Sequence, residues 1–465
     1  MTVLAFVARR ISHSGFGQFT YIQWLIDTAI LVCSFGTTGA IARYAAELGQ
    51  NPAQLASFLR HWQRWAALAS LFGGVAAVIG SWVTHIELGP TGYAVLFVWA
   101  VCQGVWTMQT AALTGCQRFD LISLANVIFA LVAVVGLLLL PPSEEWPVLL
   151  FGLIAIASAS GACVGIAVIN GRATRLASDL EESQWRAIRR YAANTWVTAL
   201  LSSFVWSRGE YPLVRAIVGD GGLAHYAAAM AFFAGGAQLV MLGVSGVTPH
   251  LTALWGQQLT ESTITTARRI MDLQLLICGT VALGLALFAA EILEITFGSG
   301  YRDAGATLSV LALGLVAFAV SAPNHLLQLA TNAGFSRNAA VAGVVLLLTL
   351  TLAFVPMLEL IGAGLARSVT MLSVALVTAG MTRSKWGSRS ASISNLVIAA
   401  GLVSGAIAIV TWRPDLGLLE RVILFAVCVS LLGLLIRGVN RERIVQTARH
   451  AINLSKAPQA RTSRA

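Results

Sequence analysis

Charge is what this sequence has least of. Only 11% of its 465 residues are Asp, Glu, Lys or Arg, against about a quarter in ordinary soluble domains. With 57% apolar residues, that balance excludes a water-soluble globule. The six cysteines, Cys33, Cys102, Cys116, Cys163, Cys278 and Cys428, form no CxxC pair and lie in or beside apolar runs, which excludes a disulfide framework and a thiolate metal site. No GxxxxGKS phosphate loop, HExxH or GxSxG occurs, so a nucleotide-driven motor and the common hydrolase sites have no footing. The polar joints reach about 25 residues at most, too short for an extramembrane catalytic domain of the size a site needs. No small-residue cleavage pattern follows the apolar start, so no cleavable signal peptide is expected. Cofactors, metals and nucleic acid are all absent from the expectation, and the chain is read as a non-enzyme.

What is present is a succession of apolar runs. A bilayer core takes roughly 20 apolar residues per helix, and about fourteen such segments recur, near residues 1–11, 18–45, 65–86, 91–114, 120–140, 147–169, 193–218, 223–254, 271–296, 305–331, 338–357, 361–381, 393–411 and 418–436. A strand-built barrel would show segments about half as long with alternating polarity. The expected fold is an all-α membrane bundle.

The formal net charge is +10, and its placement decides its meaning. Basic residues crowd every second joint: Arg60 and Arg64, Arg118, Arg172 to Arg190, Arg268 and Arg269, Arg337, Arg383 to Arg389, and the tail from Arg437 to Arg464. The alternate joints hold only Arg9, Arg10, Arg302 and Arg413, and those around Glu87 and around Glu144 and Glu145 hold no basic residue. The positive-inside rule then places both termini in the cytoplasm.

Shifting the chain on itself by about 207 residues brings Gly15, Gly36, Gly39 and Gly49 onto Gly222, Gly243, Gly246 and Gly256. A shift spanning six helices preserves direction across the membrane, one of the known transporter plans. The expected organisation is a first lobe at 1–170, a basic cytoplasmic linker at 171–192, a second six-helix lobe at 193–382, two further helices within 383–436 and a basic tail at 437–465. In this register the first helix is truncated: its counterpart would begin about fourteen residues before Met1. Either the natural start lies upstream or the first helix is short.

The stretch WSRGEYPLVR, residues 206–215, is the chemical anomaly. An arginine at the centre of a span costs roughly 2.5 to 3.5 kcal/mol on insertion scales. With Trp196 as an interface anchor, a rise of about 1.5 Å per residue puts Arg208 roughly 18 Å in, with Arg215 toward the other mouth. Glu210 lies about 200° round the helix from Arg208, so its partner is expected from another helix. Pro212 removes the usual donor to the carbonyl of Arg208, a break tolerated where it faces protein or a wet cavity. Two readings follow: salt bridges that only hold the bundle, or a cavity with a positive lining for an anion.

Other intramembrane polar residues join this set less specifically. Arg43 serves as substrate contact or interface anchor, and Arg367 as cavity lining or a snorkelling side chain. Asp27, Asp272 and His325 are candidate ion-coupling groups, with satisfied buried polar groups as the alternative. The substrate-binding set is thus Arg208, Glu210, Arg215, Arg43 and Arg367.

Three stretches carry a resemblance: GFGQFTYIQWLIDTAILVCSFGTTGAIARY, WSRGEYPLVRAIVGDGGLAHYAAAMAFF and TGCQRFD. With the fourteen-segment plan, the chain resembles the polysaccharide flippases of the multidrug, oligosaccharidyl-lipid and polysaccharide exporter superfamily. The resemblance implies a multi-pass protein of the bacterial inner membrane that turns an undecaprenyl-pyrophosphate-linked oligosaccharide outward by alternating access. It implies arginines receiving the anionic head group, with Arg208 and Glu210 in that kind of position, and a polysaccharide polymerase and chain-length regulator as partners beside membrane lipids. The alternatives are a lipid II flippase or an ion-coupled multidrug antiporter of the same superfamily. A polytopic polymerase is less favoured, because it would need a long outer loop.

Overall fold

The structure is a computed structural model and describes residues 2–48, 52–139, 146–173, 180–242, 251, 254–255, 257–331, 334–387, 390–413 and 415–436. Among these residues there is no strand. The helices in order are α1 (Thr2–Arg10), α2 (His13–Cys33), α3 (Thr37–Glu47), α4 (Pro52–Val83), α5 (Gly89–Gly115), α6 (Phe119–Leu139), α7 (Trp146–Ala173), α8 (Glu182–Trp206) and α9 (Tyr211–Leu242). They continue as α10 (Thr260–Leu287), α11 (Ala289–Phe297), α12 (Gly305–Gly314), α13 (Ser321–Thr331), α14 (Gly334–Trp386), α15 (Ile393–Trp412) and α16 (Leu418–Leu435). Among the described residues the apolar segments read from the sequence are chiefly helical, with turns at 34–36 and 207–210. Nine candidate spans among the described residues are long and apolar enough to cross a bilayer, or ten if α2 and α3, bent by 60°, count as one broken span. The chain is an all-α membrane protein.

Two of the long helices are not single rods. In α9, Gly219 leaves the helical region at φ 74°, a conformation glycine adopts without cost. The hydroxyl of Tyr226 nevertheless reaches Glu210, sixteen residues earlier, at 2.6 Å. A straight helix would separate them by about 24 Å, so the chain turns back at Gly219. In α14 the break falls at Glu359, φ 48°, just beyond Pro356, whose missing N–H already weakens the ladder.

The chain forms two compact units. The first comprises residues 1–231, 290–307 and 337–367, and the second 232–289, 308–336 and 368–465. Within the first, α2 lies antiparallel along α8 and the start of α9. Trp196 donates to the carbonyls of Leu31 and Val32 at 3.2 and 3.1 Å, the guanidinium of Arg215 lies over Tyr21 at 4.5 Å, and Gln18 donates to Asp220 at 3.1 Å. Close approach needs small residues, as is general between helices in lipid. A Cβ at Gly17 would stand 1.8 Å from the backbone oxygen of Asp220, and one at Gly36 would stand 1.9 Å from that of Ala192. Gly36 also needs its φ of 73°. The glycines of the sequence repeat at 243, 246 and 256 lie outside the described residues, as does the tail 437–465.

Helix α8 starts earlier than the span read at 193. Glu181 and Gln184 make a capping box, with the Gln184 side chain accepting the Glu181 N–H at 3.1 Å. Two orphan donors are thereby satisfied, and the basic segment Arg186 to Arg190 is helical and continuous with the span. In the second unit, Asn395 on α15 ties to Asp272 on α10, and Gln274 on α10 exchanges hydrogen bonds with Ser321 at 2.8 and 2.9 Å.

The α2 seam makes a direct prediction. Gly17→Ala forces backbone apart at the contact with Asp220 and should lower stability by about 1–3 kcal/mol, read as a lower unfolding midpoint in detergent. Gly405→Ala, where a Cβ meets nothing within 4 Å, should leave the midpoint within the error of measurement.

Candidate functional site

The span expected as one helix over 193–218 is interrupted. Helix α8 ends at Trp206, residues 207–210 form turns, and α9 begins at Tyr211. Pro212 therefore sits in the first turn of α9, where its missing N–H is no loss. The carbonyl of Arg208, expected to lack a donor, instead accepts the N–H of Tyr211 at 3.2 Å. The break has shifted the bonding from i+4 to i+3, which corrects the sequence expectation on that point.

The turn separates three charges. Glu210 and Arg367 are both fully buried, and one terminal nitrogen of Arg367 donates to both carboxylate oxygens, at 2.7 and 2.8 Å. Tyr226 donates to the same carboxylate at 2.6 Å, and Tyr211 packs against Tyr226 with ring centroids 5.8 Å apart. This is the inter-helix partner that the angular argument demanded for Glu210. In place of lining open space, Arg367 ends in a closed network.

Arg208 is different. It is half-buried, with its guanidinium 5.7 Å from the ring centroid of Tyr211. Among the described residues no side chain hydrogen-bonds to it. Across from it on α2 stands Asp27, an accessible carboxylate near the middle of its helix that feels the charge of Arg208 without forming an ion pair. A cation and an anion that face each other at a distance can each take a ligand, where a closed pair cannot.

Arg215 is a clamp. It pairs with Asp220 at 2.6 Å, donates to the carbonyl of Thr84 at 3.1 Å and covers Tyr21. Thr84 immediately follows α4, so Arg215 satisfies one of the carbonyls a helix end leaves open. Asp220, Gln18 and Tyr226 escaped the sequence reading. Asp220 had a local signal, an acidic residue in a GDGG turn five positions after Arg215.

The remaining candidates lie elsewhere. Arg43 on α3 pairs with Glu47 at 2.8 Å and stacks on Tyr191 at 4.4 Å, and Tyr191 lies roughly 25 Å along the helix from Arg208. Asp272, buried in the second unit, accepts from Asn395 at 2.9 Å, with Arg268 at 3.9 Å. His325 is half-buried on α13 of that unit and engaged with its surroundings. Five of the sequence-selected residues, Arg208, Glu210, Arg215, Arg367 and Asp27, thus share the first unit around the turn and its flanking helices. Among the described residues no group of His, Cys, Asp and Glu is arranged to hold a metal ion, and none of the six cysteines is in a disulfide.

Together these features define an all-helical, many-span protein with opposed charges inside its spans. In particular, the chain is similar in structure to the lipid II flippase MurJ in its inward closed conformation, with a TM-score of 0.62 over 93% of this chain and 94% of that one, at 12% identity. At that identity the likeness is one of fold: the chain has a MurJ-like multi-span transporter fold. No protein-family model matches the chain, and no curated protein sequence matches it.

The buried pair sets an energetic expectation. Removing one partner leaves a charge stranded in the interior, at a cost of about 3–5 kcal/mol, whereas replacing both with apolar groups is often neutral. Arg367→Met alone should sharply lower the unfolding midpoint. The double variant Glu210→Leu/Arg367→Met should recover most of that loss, and a double variant no more stable than the single would refute the pairing.

Proposed function

We infer that the chain is a flippase for a lipid-linked, anionic head group. The observation that carries this reading is Arg208: a mid-span arginine at a helix break, held by no hydrogen-bonding side chain among the described residues and facing an accessible carboxylate. A polyprenyl diphosphate carries charge that cannot cross about 30 Å of hydrocarbon unaided, and a guanidinium offers forked donors suited to phosphate oxygens. In this reading Arg208 receives the diphosphate, Asp27 stands close enough to exchange with it electrostatically, and Glu210, Arg367 and Arg215 position the turn. Asp272 and His325 remain the ion-coupling candidates of the second unit, and Arg43 anchors the opposite end of α8.

The finer assignment is an undecaprenyl-pyrophosphate-linked oligosaccharide, a repeat unit of O-antigen, capsule or exopolysaccharide, moved outward by alternating access across the bacterial inner membrane, with both termini cytoplasmic and no catalysed chemistry. A polysaccharide polymerase and chain-length regulator would act on the product. Lipid II is the second substrate reading, supported by the similarity in fold to a lipid II flippase. Both substrates present a diphosphate on a polyprenyl tail, so the Arg208 argument serves either.

The test is translocation of fluorescent polyprenyl-diphosphate oligosaccharide and of lipid II in proteoliposomes. At equal insertion, Arg208→Ala should lower the rate at least tenfold, Arg208→Lys should retain part of it, and Arg43→Gln should stay within about twofold of the native chain. Equal rates for native and Arg208→Ala protein would make Arg208 structural. The substrate moved faster by the native chain decides between the two readings.

A further inference from the structure

Helix α4 carries a stripe that locates the bilayer on the protein. Trp65, Leu68, Phe72, Val75, Ile79 and Trp82 are all exposed, and their alternating spacing of three and four residues puts them on one face. From Trp65 to Trp82 the stripe runs about 26 Å, close to the thickness of a hydrocarbon core, and it is bounded at each end by tryptophan, the residue of membrane interfaces.

Beyond Trp65 the same face turns basic. One turn earlier lies His61, whose Nε2 meets the indole N–H of Trp65 at 2.8 Å. An indole can only donate, so this imidazole nitrogen is the acceptor and the ring is neutral. His61 also packs on Trp185 of α8 with ring centroids 4.3 Å apart, which joins the two helices at this level. Arg64 on α4 and Arg189 on α8 are the cations acting on His61. Arg186 and Arg190 flank Arg189, exposed and with no hydrogen-bond partner among the described residues. The nearby acids are Glu182, which pairs with Arg189 at 2.6 Å, and Glu181, which is engaged in the helix cap. Positive charge is in excess.

We propose that this patch, formed by Arg64 with Arg186, Arg189 and Arg190 around the His61–Trp65–Trp185 cluster, is a binding site for the head group of an anionic phospholipid whose acyl chains lie along the α4 stripe. Position selects the partner. The arginines stand at the polar end of a lipid-length apolar face, so the anion that meets them is one attached to acyl chains in the same leaflet. The neutral His61 adds no charge, so the arginines supply the attraction, and the two exposed or half-exposed indoles hold the depth of the site. The site needs no assumption about the transported substrate.

Native mass spectrometry of the full chain, with phosphatidylglycerol and phosphatidylcholine of matched chains added to detergent-purified protein, tests it. Phosphatidylglycerol should bind more tightly. Each arginine near an anionic lipid contributes a factor of about five, so Arg64→Gln/Arg189→Gln should weaken phosphatidylglycerol by about 25-fold and phosphatidylcholine hardly at all. Arg413→Gln, at a remote joint, should change neither. Equal affinity for the two lipids overturns the proposal, as does a double variant that binds phosphatidylglycerol like the native chain. Displacement of phosphatidylglycerol by an equimolar short-chain polyprenyl diphosphate would also overturn it, by assigning the patch to substrate.

Discussion

An ionised side chain inside a lipid-spanning protein must be paired, hydrated or held by backbone, and the first unit of this protein is organised around that requirement. Glu210 and Arg367 meet it by closing on each other, with Tyr226 taking part of the carboxylate's remaining capacity. The pair joins the turn after α8 to α14 across 157 residues of sequence. It therefore fixes the turn as well as the charges. Without it, Arg208 would have no defined place.

Around that pair the other charges divide by accessibility. Arg215 is consumed by structure, capping α4 and holding Asp220, which in turn holds Gln18 of α2. Arg208 and Asp27 are left facing each other without closure. Two arginines seven residues apart in sequence thus differ entirely in role, and the difference lies in what the neighbouring helices offer. The same logic places Arg43 with Glu47 and Tyr191, where aromatic faces and an i,i+4 carboxylate hold an exposed guanidinium.

Much of the architecture was legible in the sequence because hydrocarbon imposes it. Among the described residues the apolar runs are chiefly helical, though broken within 18–45 and 193–218, and the angular offset of Glu210 from Arg208 required a partner on a distant helix. What could not be read was which helix supplied it. Arg367 is 157 residues away, and nothing in local periodicity links the two. The interruption at 207–210 was signalled by Pro212 but misplaced, since proline ended up opening a helix rather than weakening the middle of one. Asp220 and Tyr226 were overlooked because each is an ordinary polar residue in an apolar run until folding turns the chain back at Gly219. The contact of Gly17 with the backbone of Asp220 was equally hidden, as a glycine in sequence does not say which surface it admits.

The break between α8 and α9 has one more consequence. Aligned peptide groups make the end of a helix partially negative and its beginning partially positive, and here an end and a beginning meet inside the span. In the first turn of α9 the N–H of Tyr211 goes to the carbonyl of Arg208 and that of Val214 to the carbonyl of Glu210, while Pro212 has none to place. The buried carboxylate of Glu210 pairs with Arg367 and belongs to the residue just before α9, the helix end that favours an anion. The break thus sets each charge at the helix end that suits it, the guanidinium of Arg208 just past the negative end of α8 and the carboxylate of Glu210 at the positive beginning of α9.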